Sequence, residues 1–356
     1  VLIIEKEKLP RFKPCGGALP VKVQELIDID IEKVISKKIR EVTIEHNQEQ
    51  LHYDGTSAFI NLVDRSSFDS YLCQCACRSG AELHQEEKVT GIKKNDKSLA
   101  VITDTGEYNT SLIVGADGIL STVARCSGFN RDYPRSPTYS VDLHSSLSGS
   151  SPRELLLDLD ILASGYAWIF PKKDKFSVGV GEIFESDNNL KELFYNFLEK
   201  HNLSNFDLVK GPAGYLIPQG YKVSSVNKGK IFLVGDAAGL ADPLTGEGIY
   251  YALKSGITAA EVIGNYLGGK GSLSSYGKKI ENEIISEFKT ARRLSFIFYK
   301  FMSFIFNLMK KDEELMETFI GVVAGKISYN EVYKELNKRF LFSKNLKLNN
   351  ILHINN

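Results

Sequence analysis

The segment Ile231-Phe-Leu-Val-Gly235-Asp236-Ala237-Ala238-Gly-Leu-Ala-Asp-Pro243-Leu-Thr-Gly246-Glu247-Gly248-Ile249 gathers residue types suited to chemistry at close quarters. An apolar run leads into Gly235-Asp236, then into a glycine-rich turn, then into a helix expected to start near Gly246 or Gly248. Glycines remove the Cβ atoms that would hold a backbone away from a large anionic group. A helix start adds unpaired N–H groups and the positive end of a dipole. Asp236, at the strand tip, can accept hydrogen bonds from sugar-type hydroxyls. The plain alternative is a strand–turn–helix connection with no ligand. A second strand–Gly–Asp turn lies at 112–125, with Gly115, Asp117, Gly118, Ser121 and Arg125. A third candidate is Val1-Leu-Ile-Ile-Glu5, an apolar run ending in an acid, the pattern of the second strand of a Rossmann unit. No Gly-x-Gly-x-x-Gly precedes it and the chain does not begin with Met. A first strand and phosphate-binding turn would need roughly 25–30 residues upstream, so the sequence is read as lacking its N-terminus.

The 231–249 segment resembles the second FAD-binding motif of the para-hydroxybenzoate-hydroxylase-like flavoproteins: Gly-Asp-Ala-Ala, a spacer, Pro, then Gly-x-Gly before a helix. The matching positions are Gly235, Asp236, Ala237, Ala238, Pro243, Gly246 and Gly248. The resemblance implies that Asp236 touches the ribityl chain and that the helix start at Ile249 faces the pyrimidine end of the flavin. A reduced flavin is negative near N1 and its C2 carbonyl, where a helix N-terminus stabilises it. The upstream turn resembles the same superfamily's Asp-Gly motif, at Asp117 and Gly118, associated with flavin binding and access of the nicotinamide donor. In that motif Arg often follows Val directly; here Ala124 stands between Val123 and Arg125.

Three further stretches narrow the family. Lys13-Pro14-Cys15-Gly16-Gly17-Ala18, Asp64-Arg65-x-x-Phe68-Asp69 and Tyr166-x-Trp168-x-Phe170-Pro171 are similar to segments of the geranylgeranyl reductase family. Over residues 1–265 the chain is identified as a member of it. The resemblance adds Glu5, Cys15, Gly16, Gly17, Ala18 and Arg65 to the residues expected to hold FAD. It implies reduction of isolated double bonds in a geranylgeranyl chain carried by a lipid, chlorophyll or quinone, with NAD(P)H or a ferredoxin-type protein as electron donor. An unactivated alkene accepts hydride poorly, so a proton must reach the other carbon and carbocation character must be tolerated. Cys15, Tyr166 and Trp168 are the catalytic candidates. Tyr166 and Trp168 alternate, so on a strand they face one side, and aromatic faces stabilise positive charge. Their plain reading is two aromatics in a sheet core, and that of Cys15 a turn cysteine. Alternatives are a flavin monooxygenase or halogenase, whose Trp-x-Trp-x-Ile-Pro differs at two places, and a non-catalytic isoprenoid-binding remnant.

Composition sets outer limits. A chain of 356 residues has room for two domains, and 43% hydrophobic with 25% charged residues is ordinary for a globular protein. Lys+Arg and Asp+Glu both number 44, which with no basic patch argues against nucleic-acid binding. His46, His52, His84, His144, His201 and His353 never pair at ligand spacing, so no zinc site is expected. Five cysteines and no visible secretory segment point to a reduced, cytoplasmic setting, with peripheral membrane contact left open. Cys73, Cys75, Cys77 and Cys126 read as small packing residues.

Periodicity then positions these motifs. The fold class is α/β with an α+β insert: a Rossmann-like FAD-binding domain at 1–134 and 212–270, and an antiparallel β substrate domain at 135–211. A helical region follows at 271–356. Alternation at 42–44 and 51–53 suggests antiparallel strands, and 66–79 a helix. A meander is expected over 82–114, with turns at 94–96 and 104–106. Leu190, Leu193, Phe194, Phe197 and Leu198 form the stripe of a helix covering a sheet. The apolar run 294–309 is short of the ~20 residues of a membrane span. It is either a helix packed on the core or a face that meets membrane or wraps an isoprenoid tail. The Lys/Asn-rich end from Lys344 is expected to fray.

Overall fold

The computed structural model describes residues 1–94, 98–145 and 154–342, so most of the expected turn at 94–96 and the end from Lys344 lie outside the described residues. Two pairs of parallel strands carry the cofactor-side turns. Leu2–Glu5 pairs with Glu82–Gln85, and Ile113–Gly115 pairs with Ile231–Leu233. The second pair aligns Gly115 with Leu233, so the turns beginning at Ala116 and Val234 leave the same sheet edge side by side. Such strands are nearly continuous in hydrophobic residues because both faces are covered. Ile231, Phe232 and Leu233 are buried beneath Tyr251, Ala259 and Val262 of the helix Ile249–Leu267 and beneath Tyr276, Ile284 and Phe288. The Tyr276 hydroxyl donates to the Leu233 carbonyl at 2.7 Å, tying the helical tail to the end of the strand that leads into Gly235.

Residues 82–114 divide: Glu82–Gln85 joins Leu2–Glu5, while Val89–Lys94, Leu99–Thr103 and Glu107–Thr110 form the antiparallel meander. The helix Arg65–Arg78 begins where Asp64 accepts the Ser66 N–H, a side-chain cap at 3.0 Å.

The largest sheet has seven strands, in the order Leu208–Pro218, Arg135–His144, Lys175–Glu182, Gly165–Pro171, Leu155–Asp158, Glu41–His46, Glu49–Asp54. It draws on more of the chain than 135–211. The hairpin 41–54 joins it through a parallel pairing of Glu41–His46 with Leu155–Asp158, and its far edge runs on to Pro218. Strand alternation sorts its two faces. Ala167 and Ile169 pack with Phe194, Phe197 and Leu198 of the helix Leu190–Lys200. Tyr166, Trp168 and Phe170 face the other way, toward Met302, Phe306, Met309, Met316 and Ile320. The apolar run 294–309 is therefore not one helix; Ser286–Lys300 and Met302–Met309 break at Phe301 and lie over the aromatic face.

Replacing Tyr276 with Phe is expected to lower stability by about 1–2 kcal/mol, since a buried carbonyl loses its donor while the ring stays. Urea denaturation of the two proteins measures this.

Candidate functional site

The two glycine turns, the Cys15 loop and the aromatic face converge on one cavity of about 880 Å³. On its polar side lie Glu5, Cys15, Gly16, Gly17, Ala18, Arg65, Gly118, Gly235, Asp236, Gly246, Gly248 and Ile249. Its apolar limb is walled by Leu157, Trp168, Phe170, Phe298, Met302 and Phe306.

Asp236 accepts the Tyr215 hydroxyl at 3.0 Å, and the Lys13 ammonium lies 3.7 Å from the same oxygen and 5.3 Å above the Tyr215 ring. Burial, then the Asp236 carboxylate, pushes the Tyr215 phenol up, so it stays a donor. Burial, then the nearby Arg65 charge, lowers the Lys13 ammonium. A Cβ on Gly248 would sit 3.3 Å from Asp236 Oδ1, so glycine lets that carboxylate lie flat against the helix start. Gly235 adopts φ of +53° and its N–H donates to Ser255 Oγ at 3.0 Å, which closes the strand-to-turn step.

Charges alternate along the opposite wall. Glu5 lies 3.6 Å from Arg11, Arg11 reaches Asp69 at 3.2 Å, and Asp69 takes two bonds of 2.8 Å from Arg65. Burial opposes the Arg65 charge, but Cys15 and Asp69 beside it outweigh burial and raise its pKa. The Cys15 sulfur accepts the Gly17 N–H at 3.4 Å and stands beside the Arg65 cation on the cavity wall.

The Cys15 loop rests on the aromatic strand. A Cβ on Gly16 would meet the Phe170 ring at 2.7 Å and Trp168 Nε1 at 3.5 Å. Trp168 Nε1 is buried with no hydrogen-bond partner. Tyr166 donates to the Thr245 carbonyl at 2.5 Å, linking the substrate-side sheet to the loop before Gly246.

Two expected residues stand apart. Asp117 directs one oxygen to the Ser121 hydroxyl and the other to the Thr122 and Val123 N–H groups at 2.7 and 3.1 Å. Its carboxylate thus caps the helix Thr122–Cys126, while the neighbouring Ala116 and Gly118 line the cavity. Pro243 shapes the turn without reaching the cavity wall; Asp242 and Leu244 reach it instead. Sequence reasoning passed over Lys13 and Glu247, both inside quoted motifs, and Tyr215, which no motif marks. A carboxylate–histidine cluster of Glu45, Asp158 and His201 is filled by Lys200, whose ammonium lies 2.6 Å from Asp158 and 3.2 Å from Glu45. Cys73, Cys75, Cys77 and Cys126 are free thiols.

These residues fit FAD. The glycines clear a path for a bulky cofactor, the Asp236 and Glu5 carboxylates offer acceptors on the cavity wall, and an orphaned indole N–H faces the Cys15 loop. No family model matches the chain. An uncharacterized protein of Methanosarcina barkeri is 30% identical over 317 residues, covering 87% of this chain and 80% of its own. A digeranylgeranylglycerophospholipid reductase of Methanococcus vannielii is 27% identical over 279 residues, or 76% of this chain and 69% of that one. The crystal structure of a geranylgeranyl bacteriochlorophyll reductase-like protein from Thermoplasma acidophilum matches with a TM-score of 0.73. It is 22% identical and covers 95% of this chain and 92% of that one. The fold is the FAD-binding fold of its flavoprotein neighbours. The chain belongs to the geranylgeranyl reductase family.

Replacing Asp236 with Ala removes a charged acceptor and leaves Tyr215 and Lys13 without their partner. FAD affinity is expected to fall about tenfold or more, the scale of one hydrogen bond to a charged group. A flavin fluorescence titration reads the change.

Proposed function

We propose that this protein saturates isolated C=C bonds of a geranylgeranyl-type chain, using FAD as hydride carrier and NAD(P)H or a ferredoxin-type protein as electron source. The observation that carries this reading is the continuity of one cavity, polar where the glycine turns meet and apolar beneath the Met302–Met309 helix. A long hydrocarbon fits the apolar limb, and its double bonds can be presented where that limb meets the Cys15 loop.

Bound flavin would supply hydride. The protein's own residues do the rest. Asp236 would hold the ribityl chain, the Gly235 turn and the Ile249 helix start the ring, and Arg65 and Glu5 the remainder of the cofactor. Trp168 and Phe170, with centroids 6.0 Å apart, present π faces to the chamber, which tolerate transient positive charge on carbon. Burial first, then the Asp242 carboxylate and Cys15, push the Tyr166 phenol well above its ordinary range. Tyr166 therefore stays protonated and keeps its bond to Thr245. The helices 286–300 and 302–309 exclude water from the apolar limb, which strengthens every electrostatic interaction within it. No described helix is long and apolar enough to cross a membrane. Chains of this kind dissolve in lipid, so the reading carries with it peripheral contact with a membrane surface.

The test is to express the full-length protein, record its visible spectrum, and follow prenyl lipids by mass after chemical reduction of the flavin. A yellow protein that adds hydrogen pairs to the chain is the expected result. Oxygen-dependent hydroxylation or halogenation would replace this reading with the monooxygenase-type one, and a colourless protein would favour the non-catalytic one. Trp168→Ala is expected to alter which double bonds are saturated, by several-fold in product ratio, while flavin content stays within about twofold. An unchanged product profile would remove Trp168 from the chamber's working wall.

A further inference from the structure

Saturating an alkene needs a proton as well as a hydride, and the two aromatic candidates are poor sources of one. Tyr166 is committed to a carbonyl, and Trp168 offers only an indole N–H. Glu247, between the two glycines of the helix-start motif, is different. Its carboxyl is enclosed, lines the cavity, and accepts the Tyr250 N–H at 2.7 Å through one oxygen. The other oxygen is buried with no hydrogen-bond partner.

Its surroundings are mixed in sign. Lys22, whose ammonium sits 3.9 Å above the Tyr250 ring, packs against Gly325. Asp242 is on the preceding loop, held by the Tyr329 hydroxyl at 2.6 Å. Tyr250, Tyr251 and Lys254 face inward from the helix that follows, Glu283 and Glu287 from the tail, and Lys326, Tyr329 and Glu331 from the last turns. These last groups extend the cavity from the enclosed carboxyl to exposed side chains at Lys326 and Glu331.

We propose that Glu247 stores the proton for the cavity: it binds one as negative charge arrives at the helix start, and can release it toward carbon as a double bond is saturated. The inference rests on the reductase reading above. The step balances. One alkene carbon gains hydride from reduced flavin, and the other gains the proton. Glu247 becomes a carboxylate, and a proton from bulk solvent, relayed by water past Lys326, restores the acid. Burial raises the Glu247 carboxyl to about 7, against the opposing Tyr250 N–H and Lys22 charge, so it changes state within the working range. It is neutral below that pH and ionised above it. Negative charge added nearby moves the transition upward, so reduction takes up an extra proton just above neutrality.

The full-length flavoprotein, wild type and Glu247→Gln, decides this in two measurements. Infrared titration of the flavin-free protein is expected to show one buried neutral carboxyl, lost near pH 7 and absent from the Gln variant. The flavin midpoint potential is expected to fall with pH more steeply in wild type than in the variant, by about 30 mV per pH unit above neutrality, one extra proton per two electrons. Lys22→Met, which removes the cation favouring the carboxylate, should move both transitions to higher pH. Glu247→Gln keeps the bond to Tyr250, and its thermal midpoint shows whether it folds. Equal slopes in wild type and the Gln variant, or no titrating carboxyl, overturn the proposal. A protein that binds no flavin fails the parent reading, and the infrared titration then decides proton storage by itself.

Discussion

Gly16 lies so close to the Phe170 ring that no side chain could be added there without moving one of them. This contact sets the distance between the cofactor-side loop and the aromatic strand, and much else follows from it. The Cys15 sulfur is presented to Arg65, the Trp168 N–H is trapped between strand and loop, and the apolar limb opens next to the glycine turns. Dense interiors transmit such constraints because no spare volume absorbs a shift. The Tyr166 bond to Thr245 repeats the linkage from the other side of the motif, so strand 165–171 grips both loops of the site.

Electrostatics divides the cavity into parts with different duties. The Glu5–Arg11–Asp69–Arg65 chain is largely self-compensated, which suits long-term holding of a charged ligand. Near Glu247 the balance is incomplete: one carboxyl oxygen has no hydrogen-bond partner, and the lysine whose charge it feels is held over an aromatic ring. Satisfied networks rigidify, whereas unsatisfied groups respond to whatever enters.

Much of this was legible in the residues. Glycine spacing located the turn at 235–248, and the alternation of Tyr166 and Trp168 gave the face they share. The helical stripe from Leu190 to Leu198 pointed at the sheet it covers. Three things were hidden. Asp117 carries the residue type of a ligand group, but its carboxylate is taken by the N–H groups of its own helix, a local competition that motifs do not display. Tyr215 reaches Asp236 from a strand with no marking pattern, because cross-strand contact depends on register. Glu247 was visible by position, but its enclosure comes from helices far along the chain.

The parallel seam between Glu41–His46 and Leu155–Asp158 bears on how the chain reaches this state. As the polypeptide leaves the ribosome, the early hairpin emerges long before the strand it must lie beside. Until then its Val42 and Ile44, buried in the finished fold, have no wall to rest on. Seams of such high sequence separation form late and slowly. The seam therefore cannot close before Leu155–Asp158 has been made, and a nascent chain stalled before that point would carry a sticky, unfinished edge.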